Sequence, residues 1–390
     1  MKAVKIKENV YWVGAIDWNL RNFHGYLTQR GSTYNSYLII DEKITLIDNV
    51  KSYMFSEQLE RIKSVIDPGK IDVIIQNHIE MDHSGSLPMI RKLCPNAEIY
   101  ATAKGAEGLN RHFKQDWAIN VVKGGMTLNL GKRELIFVPT PMVHWPDNMV
   151  SYSAYDKILF SNDAFGQHIA SQERFDYEYS LGILAEEAAK YYANIVLPYG
   201  AQVVKALNAV AGLEIDWILP SHGLIWHERI GELMTMYEKW ANNRTANKAL
   251  IIYDSMWGTT EQMGKMICDT FAESGVVAEF HNLQKTHISD LMTKILDARY
   301  ICLGSPTLNN NILPSMAAFL TYLKGLAPKG RIGLAFGSYG WGGQSIPLLD
   351  KALEEMKFER LSPIKMKFIP DSSELTAAAE QLKKEIADTI

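Results

Sequence analysis

The chain has 390 residues, 47% of them hydrophobic and 22% charged, with a formal net charge of −4. That length suggests two or three domains at roughly 150 residues each, and the composition supports a normal buried core rather than wholesale disorder. No basic run stands out, which argues against a nucleic-acid partner. The first seven residues lack the apolar run of a signal peptide, and no stretch of about 18 uncharged apolar residues offers a membrane span. Cys94, Cys268 and Cys302 are far apart, with no C-x-x-C pair. The expectation is reduced thiols in the cytoplasm, with no disulfide framework, cysteine zinc site or rubredoxin-type iron centre.

In chain order, residues 36–40 and 44–47 flank Asp41-Glu42-Lys43 and predict a hairpin. The β-branched run at 71–75 predicts a buried strand, and 85–93 resumes a helical period. A strand-rich stretch covers 126–160, with a turn at Gly131-Lys132. Helical patterns return at 184–193 and 201–210. The polar segment 240–248 lacks apolar periodicity and reads as a linker. Beyond it, strand-like runs at 249–253, 277–280, 300–303, 332–336 and 364–368 alternate with helical patterns. Five such strands predict a doubly wound parallel sheet. The expected domains are 1–246 and 247–390.

The sharpest local signal is His78-Ile-Glu80-Met-Asp82-His83, directly after the buried strand. Burying that much ionisable chemistry without a metal is costly. Asp82 alone could simply cap the next helix. Downstream, His144, Asp163 and His222 each lie at or just after a strand-like run, where α/β folds gather ligands. His227 is a competitor for the role of His222, although the Pro-Ser-His-Gly context favours His222. His112, His168, His281 and His287 are taken as structural.

This loop resembles the metal loop of the metallo-β-lactamase superfamily, whose hydrolases carry H-x-H-x-D-H. Glu80 stands where the second His would be, and in this the chain is similar to the flavodiiron proteins. Mixed imidazole and carboxylate ligation suits iron. The resemblance implies two non-haem irons, with His78, Glu80 and His144 on one, Asp82, His83 and His222 on the other, and Asp163 bridging. It also implies that His24 and Tyr192 lie near the open face of the pair. The fold it implies is a metallo-β-lactamase-like αββα sandwich followed by a flavodoxin-like domain.

In the second half, the strand at 251–254 leads into Ser255-Met256-Trp257-Gly258-Thr259-Thr260 and a helix. Hydroxyls and backbone N–H groups at a helix N-terminus suit a phosphate. The loop has no Lys or Arg and is not a G-x-x-x-x-G-K-[ST] P-loop. Ser305-Pro306-Thr307 and Ser338-Tyr339-Gly340-Trp341-Gly342 follow later strands and would line the same crevice. Trp341 or Tyr339 could stack on a flavin ring. The three loops resemble the FMN site of flavodoxins, so the family resemblance spans the whole chain.

The resemblance implies reduction of dioxygen to water, or of nitric oxide to nitrous oxide, with FMN feeding the irons. It implies a head-to-tail homodimer, alone or as a dimer of dimers. Electrons are expected from rubredoxin or a reduced deazaflavin coenzyme. One rival is a metallo-β-lactamase-type zinc hydrolase with an accessory flavodoxin module. The other is an electron-transfer or gas-sensing module without turnover.

Overall fold

The structure is a computed structural model and describes residues 1–389. Its contacts define two units, Met1–Tyr191 with Tyr199–Glu238, and Tyr192–Pro198 with Lys239–Ile390.

The first unit is built on two sheets. One runs Val4–Lys7, Val10–Trp12, Tyr37–Ile39, Thr45–Ile47, Val73–Ile75, Glu98–Thr102, Ile119–Val122 in spatial order. The other runs Thr127–Asn129, Glu134–Pro139, Met149–Ser153, Ile158–Asn162, Trp217–Pro220. Side chains alternate across the first sheet, as the two-residue strand period requires. Tyr37, Ile39, Ile47 and Ile75 share a core with Phe137, Met149, Phe160 and Leu219 of the second sheet. The intervening Leu38, Leu46 and Ile74 turn the other way and pack with Ile62, Leu87, Ile90 and Leu109 from helices. The expected hairpin forms with Tyr37 opposite Ile47 and Ile39 opposite Thr45.

Strand direction brings the predicted ligands to one end. Ile158–Asn162 and Trp217–Pro220 are parallel, so Asp163 and His222 leave at the same edge. Two antiparallel steps separate Glu134–Pro139 from Ile158–Asn162, which restores the direction and delivers the segment carrying His144 to that edge.

The second unit is an all-parallel sheet in the order Val277–Asn282, Ala246–Tyr253, Ala298–Gly304, Ile332–Tyr339, followed by a split outer strand. This is the 2-1-3-4-5 order of flavodoxin-like sheets. The outer strand is Glu359–Arg360 and Ile364–Lys367, both paired to Ile332–Tyr339. Pro363 stands in the gap, where its missing N–H cannot join the ladder. Ile251 and Tyr253 pack on Met263, Ile267 and Phe271 of the helix Thr259–Glu273. Leu250 and Ile252 between them are equally buried, so both faces of the sheet are covered.

The expected linker at 240–248 is shorter than its composition suggested. The helix Ile230–Ala241 enters from one side and the strand Ala246–Tyr253 from the other. Lys248 pairs with Val277 through its backbone, which needs no apolar side chain. All three cysteines are free thiols. Among the described residues, no helix is long and apolar enough to cross a membrane.

Candidate metal centre and flavin cleft

Seven side chains meet at the sheet edge of the first unit. His78, Glu80, His144 and Asp163 form one group, and Asp82, His83 and His222 another, each with its ligand atoms within 4.8 Å of one another. Asp163 spans both groups. Its Oδ2 lies 3.0 Å from His144 Nε2 and 3.5 Å from His78 Nε2. Its Oδ1 lies 2.9 Å from His83 Nε2 and 3.6 Å from His222 Nε2. Glu80 Oε2 approaches His78 and His144 Nε2 at 3.4 Å each, and Asp82 Oδ2 approaches His222 Nε2 at 3.2 Å.

These atoms fit a pair of cations. None of the seven side chains is more than 14% exposed. Both oxygens of Asp82, Oδ1 of Asp163 and both ring nitrogens of His83 make no hydrogen bond, close as they are. Buried polar atoms normally have partners. Nitrogen and oxygen lone pairs that converge without hydrogen-bonding geometry are what ligands of shared metals look like, and the mixed imidazole–carboxylate set suits iron.

The ligand loop is held by buried amides and carboxylates. The Gln76 amide donates to the carbonyls of both His78 (2.6 Å) and His83 (2.7 Å), tying the two ends of the loop together. Asp48 accepts from Asn77 N–H at 2.7 Å and from its amide at 2.9 Å. Burial pushes this carboxyl up to about 6, with His83 and Asn77 opposing. Asp147 Oδ2 accepts from His78 Nδ1 and from Ile79 N–H, each at 2.9 Å. That fixes the tautomer of His78 and leaves Nε2 free for a metal. The Thr33 carbonyl, 2.8 Å from His222 Nδ1, does the same for His222. Gly223, at φ +79°, lies so close that a Cβ there would sit 1.5 Å from Gln167 Oε1.

Burial alone would depress the imidazoles, but the surrounding acids override it. His78 is raised to about 10 by hydrogen bonds to Asp147 and Glu80. His83 rises to about 9 through Asp82 and Asp163, and His144 to about 9 through Asp163 and Glu80. Burial would raise the carboxyls, yet His83 and His144 hold Asp163 well below its usual range. His83 and His222 lower Asp82, and His144, His24 and His78 lower Glu80. Without metal, the fold therefore stores imidazolium protons that a bound cation must displace.

His24 reaches the cluster, with Nε2 3.0 Å from Glu80 Oε1, while its side chain stays 71% exposed. Tyr192 differs from the expectation: its ring packs on Trp240 at 5.3 Å, in the second unit. Its neighbour Tyr191 faces the centre instead, 5.9 Å from the His222 ring and 5.2 Å from His168. Successive helical residues point about 100° apart, and the helix Leu181–Tyr191 ends between the two. His227 stacks on Trp217 at 3.7 Å, leaving His222 in the cluster. His168, taken as structural, lies 4.7 Å from the His222 ring.

In the second unit, the three predicted loops line one cleft of about 560 Å³. Met256, Trp257 and Thr259 come from the first loop, Pro306 and Thr307 from the second, and 338–341 from the third. Trp257 and Trp341 are 92% and 83% exposed, so each presents an open aromatic face. That size and mix of apolar walls with hydroxyls suits an isoalloxazine cofactor. Ser255 Oγ instead accepts from Gly258 N–H at 3.0 Å, where φ is +86°. Thr260 Oγ1 and Ser338 Oγ bond each other at 3.1 Å, and Ser305 Oγ is buried against the Leu313 N–H. Gly342 turns the third loop at φ +78°. Leu308, Asn309, Phe368 and Ile369 also line the cleft and were not singled out from the sequence.

Residues 33–223 match the ODP family beta lactamase domain, and residues 251–381 match flavodoxin. The nitric oxide reductase of Moorella thermoacetica is 42% identical, covering 93% of this chain and 92% of its own. The rubredoxin-oxygen oxidoreductase of Megalodesulfovibrio gigas is 43% identical over 100% of this chain and 98% of its own. The solved flavodiiron protein of Giardia intestinalis superposes with a TM-score of 0.95 at 35% identity, covering 98% of this chain and 96% of that one. These matches run through both units in order and favour the redox reading over the zinc hydrolase. With Glu80 in the ligand loop and a flavodoxin-like unit behind it, the chain belongs to the flavodiiron protein family.

Proposed function

We propose that this protein reduces dioxygen to water, nitric oxide to nitrous oxide, or both, at two irons, using electrons passed from FMN. The observation that carries this reading is the position of Asp163, whose two oxygens each face a separate imidazole group. When bound, iron would supply the ferrous–ferric exchange that zinc lacks, and FMN would hold two electrons and release them singly.

The geometry supports the following roles for the protein groups. His78, Glu80 and His144 would hold one metal and Asp82, His83 and His222 the other, with Asp163 reaching both groups. Asp147 and the Thr33 carbonyl orient His78 and His222. His24, exposed and bonded to Glu80, would lie near the open face of the metal pair. Trp341 or Tyr339 would pack against the flavin ring, and the hydroxyl-bearing loop 255–260 would receive its phosphate.

Electron transfer falls steeply with distance, which favours a head-to-tail homodimer, alone or paired into a dimer of dimers. Rubredoxin is the preferred donor, as the name of the Megalodesulfovibrio gigas relative suggests, and a reduced deazaflavin coenzyme is the alternative. The cytoplasm is the proposed location. The test compares consumption of nitric oxide without air and of dioxygen under one donor, alongside iron and FMN counts per chain. Turnover of either gas by iron- and FMN-loaded protein supports the reading. A zinc-only protein with esterase activity and no gas uptake refutes it.

A further inference from the structure

Beside the His222 end of the cluster lies a second set of buried polar groups that the roles above do not use. Glu187, on the helix Leu181–Tyr191, is 1% exposed. Its Oε1 accepts from Arg30 Nη1 at 2.9 Å, and its Oε2 has no hydrogen-bond partner. His168 is fully buried, with Nδ1 2.6 Å from Ser32 Oγ and Nε2 without a partner. Ser32 Oγ donates to the Thr33 carbonyl, so it accepts from His168 Nδ1–H, and Nε2 is left with a lone pair. Thr28 Oγ1 is likewise buried and unpartnered.

One short stretch of chain links the two ends of this set. Gln29 accepts from Lys190, Arg30 binds Glu187, and Ser32 binds His168. Glu187 and Tyr191 lie one helical turn apart, about 6 Å along the axis, and the Tyr191 ring is 5.2 Å from His168. Glu187 and His168 thus flank Tyr191, and hydrogen-bonded waters would span the gap between them. Unpartnered buried polar atoms are where proteins hold such waters. At the outer end, Arg30 Nη2 also contacts Glu186, which is 59% exposed.

We propose that Glu187 is the gate of a proton path. It takes protons from solvent at the Arg30–Glu186 edge and passes them to the metal cluster through waters bonded to Thr28 Oγ1 and His168 Nε2. This rests on the gas-reductase reading, which consumes one proton per electron. Dioxygen takes four electrons and four protons to give two waters, and two nitric oxides take two of each to give nitrous oxide and water. In each step the Glu187 carboxyl loses a proton inward, and its carboxylate regains one from bulk water.

The electrostatics agree with this role. Burial raises Glu187 to about 7, opposed by Lys190 on its own helix and Arg30 from the N-terminal segment, and aided by Glu186. A group near 7 both accepts and releases protons at neutral pH.

The test uses the iron- and FMN-loaded protein and the variants Glu187→Gln and Glu187→Asp. Infrared titration of the wild type should show a carboxylic-acid band titrating near neutral pH that Glu187→Gln lacks. Single-turnover gas reduction by Glu187→Gln should slow at least about ten-fold, with iron content, melting temperature and flavin reduction unchanged. The wild-type rate should fall as pH rises through that transition, the variant should be flat there, and Glu187→Asp should recover part of the rate. The path is overturned if the band is missing, if Glu187→Gln keeps the wild-type rate and pH profile, or if its loss follows lost iron. Wild-type protein that consumes neither gas sinks the functional reading and the path together. A normal wild type matched by Glu187→Gln sinks the path alone.

Discussion

Asp147 offers the sharpest handle on how the first metal position is built. Its Oδ2 takes both His78 Nδ1 and the Ile79 N–H at 2.9 Å, so one oxygen sets the ring tautomer and the start of the ligand loop together. Its backbone is itself pinned, since Thr102 Oγ1 donates to the Asp147 carbonyl at 2.8 Å. Asp147→Ala should therefore leave the chain path intact and remove the acceptor alone. Hydrogen bonds to a charged group contribute about 1.5–3 kcal/mol, and removing the outer partner of a metal-bound His typically costs 10–100-fold in affinity. The prediction is a 10–100-fold loss, about 1.4–2.7 kcal/mol, at the site of His78, Glu80 and His144. The site of His83 and His222 should weaken less, since only the shared Asp163 couples it to the first. Ferrous-ion titration of stripped protein against a competing chelator resolves the two binding steps. Asp147→Asn keeps an oxygen that can accept from both His78 Nδ1 and the Ile79 N–H, because its N–H₂ cannot face the Ile79 donor, and should rescue most of the binding. Equal weakening of both sites, or no weakening in Asp147→Ala, would refute the assigned role.

Gln76→Leu should leave the carbonyls of His78 and His83 unpaired and cost at least about 2 kcal/mol, at 1–3 per orphaned group, read by urea unfolding of the metal-free protein. Gly223→Ala combines the left-handed penalty of about 1–2 kcal/mol with a Cβ 2.3 Å from the Gln167 carbonyl; lowered melting temperature and loss of the second metal are expected, and an unchanged variant contradicts the packing described. Metal-free protein should lose stability in alkali. His78, His83 and His144 stand above their unfolded value of 6.5, so they stabilise fully below it and lose that contribution as pH rises through about 9 to 10. Calorimetry should show the stripped protein melting earlier across that window and the metal-loaded protein, already deprotonated at these rings, holding level. Trp341→Ala should raise the Kd for FMN about 2–13-fold, the equivalent of 0.5–1.5 kcal/mol for an aromatic pair, measured by flavin fluorescence.

The clustered side chains were legible because their signals are local. Four of the seven fall within six residues of sequence, and the rest follow strand-like apolar runs. The flavin loops were legible for the same reason, since parallel strands open their C-terminal ends into one crevice. What was not legible depends on direction and on backbone. Tyr191 and Tyr192 are indistinguishable in composition, and only the end of the helix decides which ring turns toward His222. The Thr33 carbonyl has no side-chain signature at all. Asp147 stands three residues after His144 in the same stretch, so the signal was present, but its partner His78 is 69 positions away. Phe368 and Ile369 reach the cleft from a loop with no phosphate-binding pattern. The linker was overestimated because Ala246 and Lys248 carry a backbone ladder that side-chain periodicity does not reveal.

The most direct test is anomalous diffraction at the iron edge from crystals of protein isolated with its native metals. Two iron peaks about 3.5–4 Å apart, with one Asp163 oxygen on each, are the predicted result. A single zinc peak, or two irons with Asp163 bound to neither, would contradict the account.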